Sequence, residues 1–455
     1  MNRTLFLFIV FLSTTTIFAQ SDILDNYIKI ALESNLALQQ KEYSYQKSLE
    51  ALKESKRMFL PSISLNASYT VAEGGRILEI PFGDMLNPIY NNLNQINPIL
   101  NPTAQQYPEI ENMEIPLIRS TEQETYLQAG MPVFNAAIIQ NHKIKQGLAT
   151  VESINVEIYK RELVKEVKEA YIKYLQAEQI YILYSNTLEI VKLNLKFRES
   201  LFANDKITID EVYAAKAQIM QVERDLVEAD KNRVLATLWF NFLLNRDFDS
   251  DIDTGQFAAP IISGYNIQDI TNTTLSNREE LTQMDTYIEI QENNIKLQKG
   301  AALPEVSLFG QYGFQGEDYR FDNESDLAVA GVSLKWNIFN AGQRKSKIQQ
   351  AKIDCQIIES QKLELERQLQ LEVVNAYYSI QVAQKSIELA EQELDNFRKT
   401  YSLVEKKYQQ GMVNYLDYSN ALNNLLNAEI KLILALYEYQ LEQINLERLT
   451  STYQF

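Results

Sequence analysis

Two long stretches of the chain carry apolar residues at every third or fourth position. In the second stretch the steps alternate strictly between four and three, through Leu369, Val373, Ala376, Ile380, Ala383, Ile387, Ala390, Leu394, Phe397, Tyr401, Val404 and Tyr408. The same register runs 206 residues earlier, from Leu163 to Phe202, with Arg198 as its only break. A seven-residue repeat predicts helices that coil around neighbouring helices. The constant offset indicates a tandem duplication of the chain.

These stripes predict two long helices, over residues 135–203 and 342–409, with no proline inside. At about 1.5 Å per residue, each helix would be on the order of 100 Å long. A turn and a helix of about half that length follow each of them, near 209–246 and 415–449. Residues 21–58 are predicted to form one further helix, which Pro61 ends. The last helix has two adjacent apolar stripes, as expected in the wall of a tube.

In four segments the apolar residues recur at every second position, which predicts β-strands. In residues 60–71 apolar side chains alternate with small polar ones, and similar alternation runs through 127–133, 306–315 and 328–337. Each run is close to the roughly 9–11 residues that a tilted strand needs to cross a bilayer. Aromatic residues near the strand ends suit an interfacial belt, although aromatics are also ordinary strand formers; they are Tyr69, Tyr126, Tyr312 and Trp336.

The order of these elements is the same in both halves. Each half is predicted to contain a helix, two strands, a long helix, a turn and a helix, which gives a first repeat at 20–248, a linker at 249–265 and a second repeat at 266–455. The loops between paired strands differ. Residues 72–124 contain six of the ten prolines and are predicted to be a long irregular loop, whereas 316–326 is short and acidic.

The first residues predict export from the cytoplasm. Arg3, an apolar run and Ala19 before Gln20 form a secretory signal peptide over 1–19, so we expect the mature chain to begin at Gln20. Acidic residues outnumber basic ones by 60 to 43, and a net charge of −17 disfavours a nucleic acid partner. Cys355 is the single cysteine, so no intrachain disulfide can form.

Four membrane strands cannot close a barrel by themselves. Open sheet edges in lipid leave unpaired N–H and C=O groups that each cost several kcal/mol, so the chain is expected to oligomerise. Two copies would give eight strands around a filled interior, and three would give twelve strands around a lumen. Small polar residues on one strand face favour a wet lumen; they are Ser62, Ser64, Asn66, Ser68, Ser307 and Ser333.

Duplicated motifs give the chain a family resemblance. An LPxxSL strand entry begins at Leu60 and Leu303, FNA follows the strands at Phe134 and Phe339, and EVxxAY recurs at 166–171 and 372–377. A turn over 408–411 leads to Tyr-Leu-Asp at 415–417. With these motifs, essentially all of the mature chain resembles the TolC-like outer membrane efflux proteins.

The resemblance implies an α+β membrane protein. It implies a homotrimer in which four strands per chain form a 12-stranded β-barrel in the outer membrane, continued by an α-helical barrel of coiled-coil helices across the periplasm of a Gram-negative bacterium. It further implies a periplasmic adaptor protein and an inner-membrane pump as partners, with export of small molecules or polypeptides. The sequence does not choose among these substrates.

The resemblance also suggests a gate. In that family the periplasmic tip carries rings of aspartate just after the second turn, and the first ring position falls on Asp417. The second falls on Asn420, a departure that weakens the expectation of strong cation binding, while Glu211 is the equivalent of Asp417 in the first half. Gly411 and Asp205 mark the tip turns. Acidic residues in the first turn stabilise any helix, so both interpretations stay open.

No residue pattern indicates an enzyme. His142 and Cys355 are the single histidine and cysteine, and the sequence contains no Gly-rich phosphate loop. We therefore expect no catalytic residue, metal or other cofactor. An alternative is a secreted or periplasmic structural coiled-coil protein without a channel. That alternative explains the seven-residue repeats but not four membrane-length strands at duplicated positions.

Overall fold

The computed structural model describes residues 17–101, 103, 105–254 and 266–453. Most of the predicted signal peptide (1–19) and most of the predicted linker (249–265) lie outside the described residues. The helices are α1 Ile17–Ser34, α2 Leu36–Arg57, α3 Phe82–Leu100, α4 Ala136–Ala203, α5 Ile209–Leu243, α6 Ile267–Asn277, α7 Glu279–Gly300, α8 Gln343–Gln409 and α9 Tyr415–Thr450. The strands are β1 Ser62–Val71, β2 Ile77–Ile80, β3 Met113–Pro116, β4 Thr121–Phe134, β5 Glu305–Gly316 and β6 Asp326–Lys335.

Contacts divide the described chain into two compact units. One unit takes its residues from Met1–Leu52, Lys143–Asn294 and Gln349–Phe455, and it is helical. The other takes them from Lys53–His142 and Ile295–Ile348, and it holds both β-sheets together with α3. Each unit therefore combines segments from the two sequence repeats.

The seven-residue stripes form the cores of the helical unit. On α8 the eight stripe positions from Leu369 to Leu394 are all buried, as are Leu163 and Val167 on α4. Side chains of α1, α4, α5 and α9 share one cluster, in which the Tyr27 and Phe240 rings meet edge to face at 5.0 Å. A second cluster joins α8 to α6 and α9. The predicted long helices are confirmed, and their stability comes from packing of the stripes rather than from helix propensity.

The duplication is visible in the backbone. Helices α2 and α7 end at Arg57 and Gly300, an offset of 243 residues, and the same offset separates the starts of β1 and β5. Farther along the chain, left-handed residues occur 206 residues apart, Asp205 (φ 54) with Gly411 (φ 71) and Asn245 (φ 50) with Ser451 (φ 49). The offset shortens because the connection between β1 and β4 is longer than the one between β5 and β6.

The prediction of one helix over residues 21–58 is wrong, because Asn35 separates α1 from α2. The buried Asn35 carboxamide oxygen accepts hydrogen bonds from the N–H groups of Ala37 and Leu38, both at 3.0 Å, and so caps a new helix. Its amide nitrogen donates to the Leu243 carbonyl at 3.0 Å. Helices α6 and α7 are divided at the equivalent place.

Four strands form one antiparallel sheet in the order β1-β4-β5-β6. The register pairs Leu65 with Leu127, Leu127 with Tyr312, and Tyr312 with Ala328, and a register shift occurs between Pro132 and Phe134. Within the described chain, β1 and β6 each pair with one neighbour in this sheet. Each therefore has an open edge.

The prediction of an irregular loop over residues 72–124 is also wrong. This connection contains β2, α3 and β3, and β4 already begins at Thr121. Pro88 and Pro98, which favour a loop in the sequence pattern, lie inside α3. The second connection is short, as predicted, between Gly316 and Asp326. Throughout the described residues, the helices lack the combination of length and apolar character that crossing a membrane requires.

Candidate functional site

The turns that follow the two long helices have the same backbone geometry. Asp205 N–H donates to the Phe202 carbonyl and Lys206 N–H to the Leu201 carbonyl, both at 2.9 Å. Gly411 N–H donates to Tyr408 at 3.0 Å and Met412 N–H to Lys407 at 2.9 Å. This pair of bonds, around one residue at positive φ, ends a helix and satisfies its last carbonyls. Asp205 and Gly411 thus occupy equivalent turn positions.

The helices that leave these turns begin with acidic residues. Asp210 and Glu211 lie in the first turn of α5 and Asp417 in that of α9. The Asn414 side chain accepts a hydrogen bond from Asp417 N–H at 2.9 Å and caps α9. Asp417 and Asn420 are both exposed, three residues apart and therefore on one side of the helix.

A buried arginine lies beneath the first turn. Arg198 replaces an apolar residue of the α4 stripe, and its side chain is 0% exposed. Its Nη1 donates to Glu211 Oε2 at 2.6 Å, and its Nε donates to Asn194 Oδ1 at 3.1 Å. The ion pair joins α4 to α5 directly across the turn. Burial of the guanidinium is compensated by this close carboxylate and by aromatic rings.

Tyrosines of α8 and α9 surround the same guanidinium. Its Cζ lies 3.6 Å from the Tyr415 ring centroid and 5.1 Å from that of Tyr408, which are cation–π distances. The Tyr408 and Tyr418 rings stack at 4.8 Å. We call Arg198, Glu211, Tyr408, Tyr415 and Tyr418 the tip cluster. Through it, one arginine connects the α4–α5 pair to the α8–α9 pair.

The hydroxyl groups of this region are buried and hydrogen bonded. The Tyr401 hydroxyl lies 3.2 Å from that of Tyr418, and Tyr415 donates to Gln218 Oε1. Burial is the largest cause that raises the pKa of Tyr401 far above its ordinary value, followed by the neighbouring Tyr418. Burial also raises the pKa of Tyr415, and the Arg198 charge opposes that shift. The phenols of Tyr401 and Tyr415 therefore stay protonated at physiological pH.

The three residues predicted to form a gate differ in their surroundings. Glu211 is paired with Arg198, and its side chain is 30% exposed, whereas Asp417 and Asn420 are exposed and lie on one side of α9. Sequence reasoning assigned no role to Arg198 or Tyr415. The break that Arg198 makes in an otherwise apolar stripe was the signal that could have identified it.

A groove of about 690 Å³ lies between the two turns. Apolar and polar side chains from both turns line it. The apolar residues include Phe197, Leu201, Ile207, Met412 and Val413, and the polar ones are Lys206, Glu211, Gln409, Gln410 and Asn414. Met412 is 70% exposed. Both helix pairs therefore present apolar surface next to the tip cluster.

The four-stranded sheet has one apolar and one mainly polar face. Cross-strand pairs such as Leu65–Leu127 and Leu308–Val332 share the apolar face, and Ser64–Gln128 and Ser307–Ser333 share the other. The serines and Asn66 that were predicted to share a face do so. Exposed apolar side chains continue along the first face; they include Ile63, Leu65, Leu127, Leu308, Val332 and Leu334.

The register separates Tyr126 from the other predicted belt residues. Tyr126 pairs with Asn66 and Gly313 on the polar face, whereas Tyr69 and Tyr312 belong to the apolar face. Tyr312 pairs with Leu127 within the sheet, away from its ends. Trp336 follows β6 directly, is 54% exposed, and donates from Nε1 to the Ala302 carbonyl at 3.0 Å. Tyr126 thus no longer fits a belt that faces lipid.

Among the described residues, no group of three or more His, Cys, Asp or Glu side chains has the arrangement of a metal site. His142 contacts Ser55, with Nδ1 and Oγ 2.9 Å apart. Cys355 is buried, and burial raises the pKa of its thiol.

Comparisons with known proteins agree with the fold. Residues 270–452 match the model of the family described as outer membrane efflux protein. The chain is 24% identical over 176 residues to the solvent efflux pump outer membrane protein SrpC and to the toluene efflux pump outer membrane protein TtgI, both of Pseudomonas putida. Each match covers 38% of this chain and 36% of the relative's length.

The likeness in structure extends over nearly the whole chain. The outer membrane protein VceC of Vibrio cholerae superposes with a TM-score of 0.72 at 15% identity, over 95% of this chain and 97% of VceC. The fold class and the resemblance inferred from the sequence motifs are thus confirmed. The family and the structures matched are those of channel and efflux proteins rather than enzymes.

Proposed function

We propose that this chain is a TolC-like outer membrane efflux protein and forms a trimeric exit duct in the outer membrane of a Gram-negative bacterium. In the duct, a 12-stranded β-barrel would continue into an α-helical barrel. The observation that carries the proposal is the four-stranded sheet, which has one apolar face, one mainly polar face and two open edges.

The open edges need partners. If the apolar face contacts lipid, unpaired backbone groups of β1 and β6 would each cost several kcal/mol. Pairing β1 of one copy with β6 of the next satisfies both edges without any other change. Three copies give twelve strands, whose polar faces then line a lumen wide enough for water.

The polar and aromatic residues of the sheet take their roles from this arrangement. Ser64, Gln128 and Gln311 would face the lumen, because their register puts them opposite the apolar face. Tyr69 and Trp336, near opposite ends of the sheet, would lie at the two membrane interfaces, where amphipathic rings are favoured. Tyr312 would face the lipid nearer the middle of the barrel.

We further propose that the tip cluster helps to hold the periplasmic end closed. It ties α4 to α5 by an ion pair and both to α8 and α9 by cation–π contacts, so any separation of the helix pairs must first expose the Arg198 charge. Asp417 would supply one carboxylate per chain to the passage, three in the trimer. Asn420 and the paired Glu211 would add little negative charge to it.

The groove between the turns suits the proposed adaptor. Its exposed apolar residues lie on both helix pairs, where a helical hairpin of a periplasmic adaptor could contact both at once and shift them together. An inner-membrane pump would complete the system. We propose small molecules as the cargo, because SrpC and TtgI are named for solvent and toluene efflux.

The test is purification and reconstitution. Protein extracted from outer membranes should migrate as a heat-resistant trimer and should conduct ions across a planar bilayer. Deletion of the gene should sensitise cells to apolar toxic compounds, and a plasmid copy should restore resistance. A water-soluble monomer that passes no ions would overturn the proposal and favour a structural coiled-coil protein.

A further inference from the structure

The connection between β1 and β4 continues their hairpin beyond the four-stranded sheet. Ala72 N–H donates to the Ser120 carbonyl, and Leu117 N–H donates to the Arg76 carbonyl, both at 2.9 Å. Strands β2 and β3 then pair from Ile77–Pro116 to Ile80–Met113. Helix α3 begins at Phe82, directly after this extension. Strand β1 is an edge strand with one unpaired side, so α3 follows an extension of the edge at which a further strand could pair.

One side of α3 is covered by its own chain. The Asn87 carboxamide donates to the Ile110 carbonyl at 2.8 Å and accepts from Ile110 N–H at 2.9 Å. Asn94, seven residues farther on, makes the same pair of bonds with Tyr107, at 2.8 and 2.7 Å. The Tyr90 and Tyr107 rings stack at 5.0 Å. Two side chains on one helix face thus fix the returning backbone in place.

The opposite side of α3 is apolar and exposed. Its residues are Phe82 (43% exposed), Met85 (65%), Ile89 (53%), Ile96 (49%), Ile99 (81%) and Leu100 (79%), which we call the α3 stripe. The spacing of three, four, seven and three or four is that of a helix seam packed against another helix. Asp84 is the only charged residue of α3.

Three observations indicate that the occupant of this stripe is another copy of the chain. A helix that lies on a membrane surface carries lysine and arginine on its polar side, whereas the polar side of α3 carries asparagine. The seam-like spacing suits a helix partner rather than lipid. Furthermore, α3 follows β2 in the hairpin extension of β1, which is the edge strand that pairs with a neighbouring copy in the proposed trimer.

We propose that the three α3 stripes of the trimer pack together across the external mouth of the barrel and plug it. This inference rests on the proposed function, since it needs the trimer. The covered asparagine side makes each helix a rigid arm, and the contact between the three stripes is apolar. The three helices must therefore separate each time cargo leaves. The apolar area that the α3 stripes bury against one another determines how tightly they hold together.

Disulfide cross-linking tests the contact. Cys355→Ser removes the single native cysteine, and Ile96→Cys is then compared with Asn91→Cys, at an exposed polar position of the same helix outside the stripe. In purified trimer, an oxidant should produce covalent dimers severalfold faster with Ile96→Cys than with Asn91→Cys. Equal rates in the two variants, or no cross-link in either, would overturn the plug.

A functional measurement supports the same test. Ile89→Glu with Ile96→Glu places like charges on the seam, so in the Cys355→Ser background a membrane-impermeant thiol reagent added outside the cell should label Gln128→Cys, at a lumen position of the sheet, severalfold faster while the trimer persists. Unchanged labelling in an intact trimer would overturn the plug and leave the duct standing. If no trimer forms even in the wild-type chain, both proposals fail, which separates the two outcomes.

Discussion

Arg198 and Glu211 form an ion pair across the turn between α4 and α5, with Nη1 and Oε2 2.6 Å apart and the guanidinium fully buried. The arginine stands in a stripe of apolar residues, and the glutamate stands where the first turn of α5 begins. The ion pair therefore connects two consecutive helices, and the Arg198 charge is not exposed at the surface.

Removal of only one partner should be costly. Glu211→Ala leaves the buried guanidinium without its carboxylate and should lower the free energy of unfolding by about 3 kcal/mol. Arg198→Leu combined with Glu211→Ala removes both charges and restores the apolar stripe, so the double variant should recover most of this loss, as replacement of a whole buried pair often does. Chemical unfolding of the detergent-solubilised protein measures both. Asp210→Ala, an exposed acid in the same turn, controls for the helix terminus, and an equal loss in all three variants would contradict this role.

Electrical recordings test the charge of the gate. Asn420→Asp adds a second carboxylate one turn after Asp417, so block of the channel by multivalent cations should become stronger, while Asp417→Asn should weaken it. The neutral Asn420→Gln serves as the matched control. If block is the same in all of these channels, neither residue lies at the constriction.

The two turns should respond differently to substitution. Gly411 has φ 71, which an alanine adopts only at a cost, so Gly411→Ala should destabilise the protein by about 1 kcal/mol. Asp205 has φ 54, and Asp205→Gly should stabilise it by up to about 1 kcal/mol. Gln410→Ala, next to the glycine, should change little. Thermal unfolding ranks the variants, and a loss of stability in Asp205→Gly would show that the aspartate side chain has a role of its own.

Glu166 should make stability depend on pH. Burial is the main cause that raises its pKa, the charges of Glu162 and Glu169 raise it further, and Lys165 opposes them. A carboxyl whose pKa is higher in the folded state contributes stability below its unfolded pKa and loses that contribution as pH rises through the folded pKa. Glu166→Gln should therefore stabilise the protein at neutral pH.

The advantage of Glu166→Gln over wild type should disappear below about pH 4, where the carboxyl is protonated in both states. Melting temperatures of the two proteins across this range measure the effect. The exposed Glu189→Gln on the same helix should show no such trend. An advantage that persists in acid would assign the effect to packing instead.

Periodicity was enough to predict the long helices and the strands, because both depend on which side chains face a neighbour. The stripe from Leu369 to Leu394 is buried in the structure, and the alternation in β1 corresponds to its two faces. The duplication followed from spacing alone. These features repeat along the chain, so each residue supports the inference drawn from the others.

Features that depend on a single contact were harder to infer. The break at Asn35 depends on its bonds to two N–H groups and to the distant Leu243 carbonyl. Helix α3 was missed because Pro88 and Pro98 suggested a loop. What holds the segment is a set of hydrogen bonds from Asn87 and Asn94, on the surface of the helix, to the backbone of the returning chain. Arg198 was visible as an exception, but its partner Glu211 lies on another helix.

The matching turns at Asp205 and Gly411 have a consequence for symmetry. In a trimer the six turns would share nearly one backbone shape, while Arg198 occurs beneath only three of them. The backbone of the rim would then have nearly sixfold symmetry, whereas its buried arginines would have threefold symmetry. Alternate helical hairpins would therefore differ in whether an ion pair joins their two helices. Any movement that widens such a rim would have to break the contacts that join each Arg198 to the tyrosines of the hairpin without an arginine of its own.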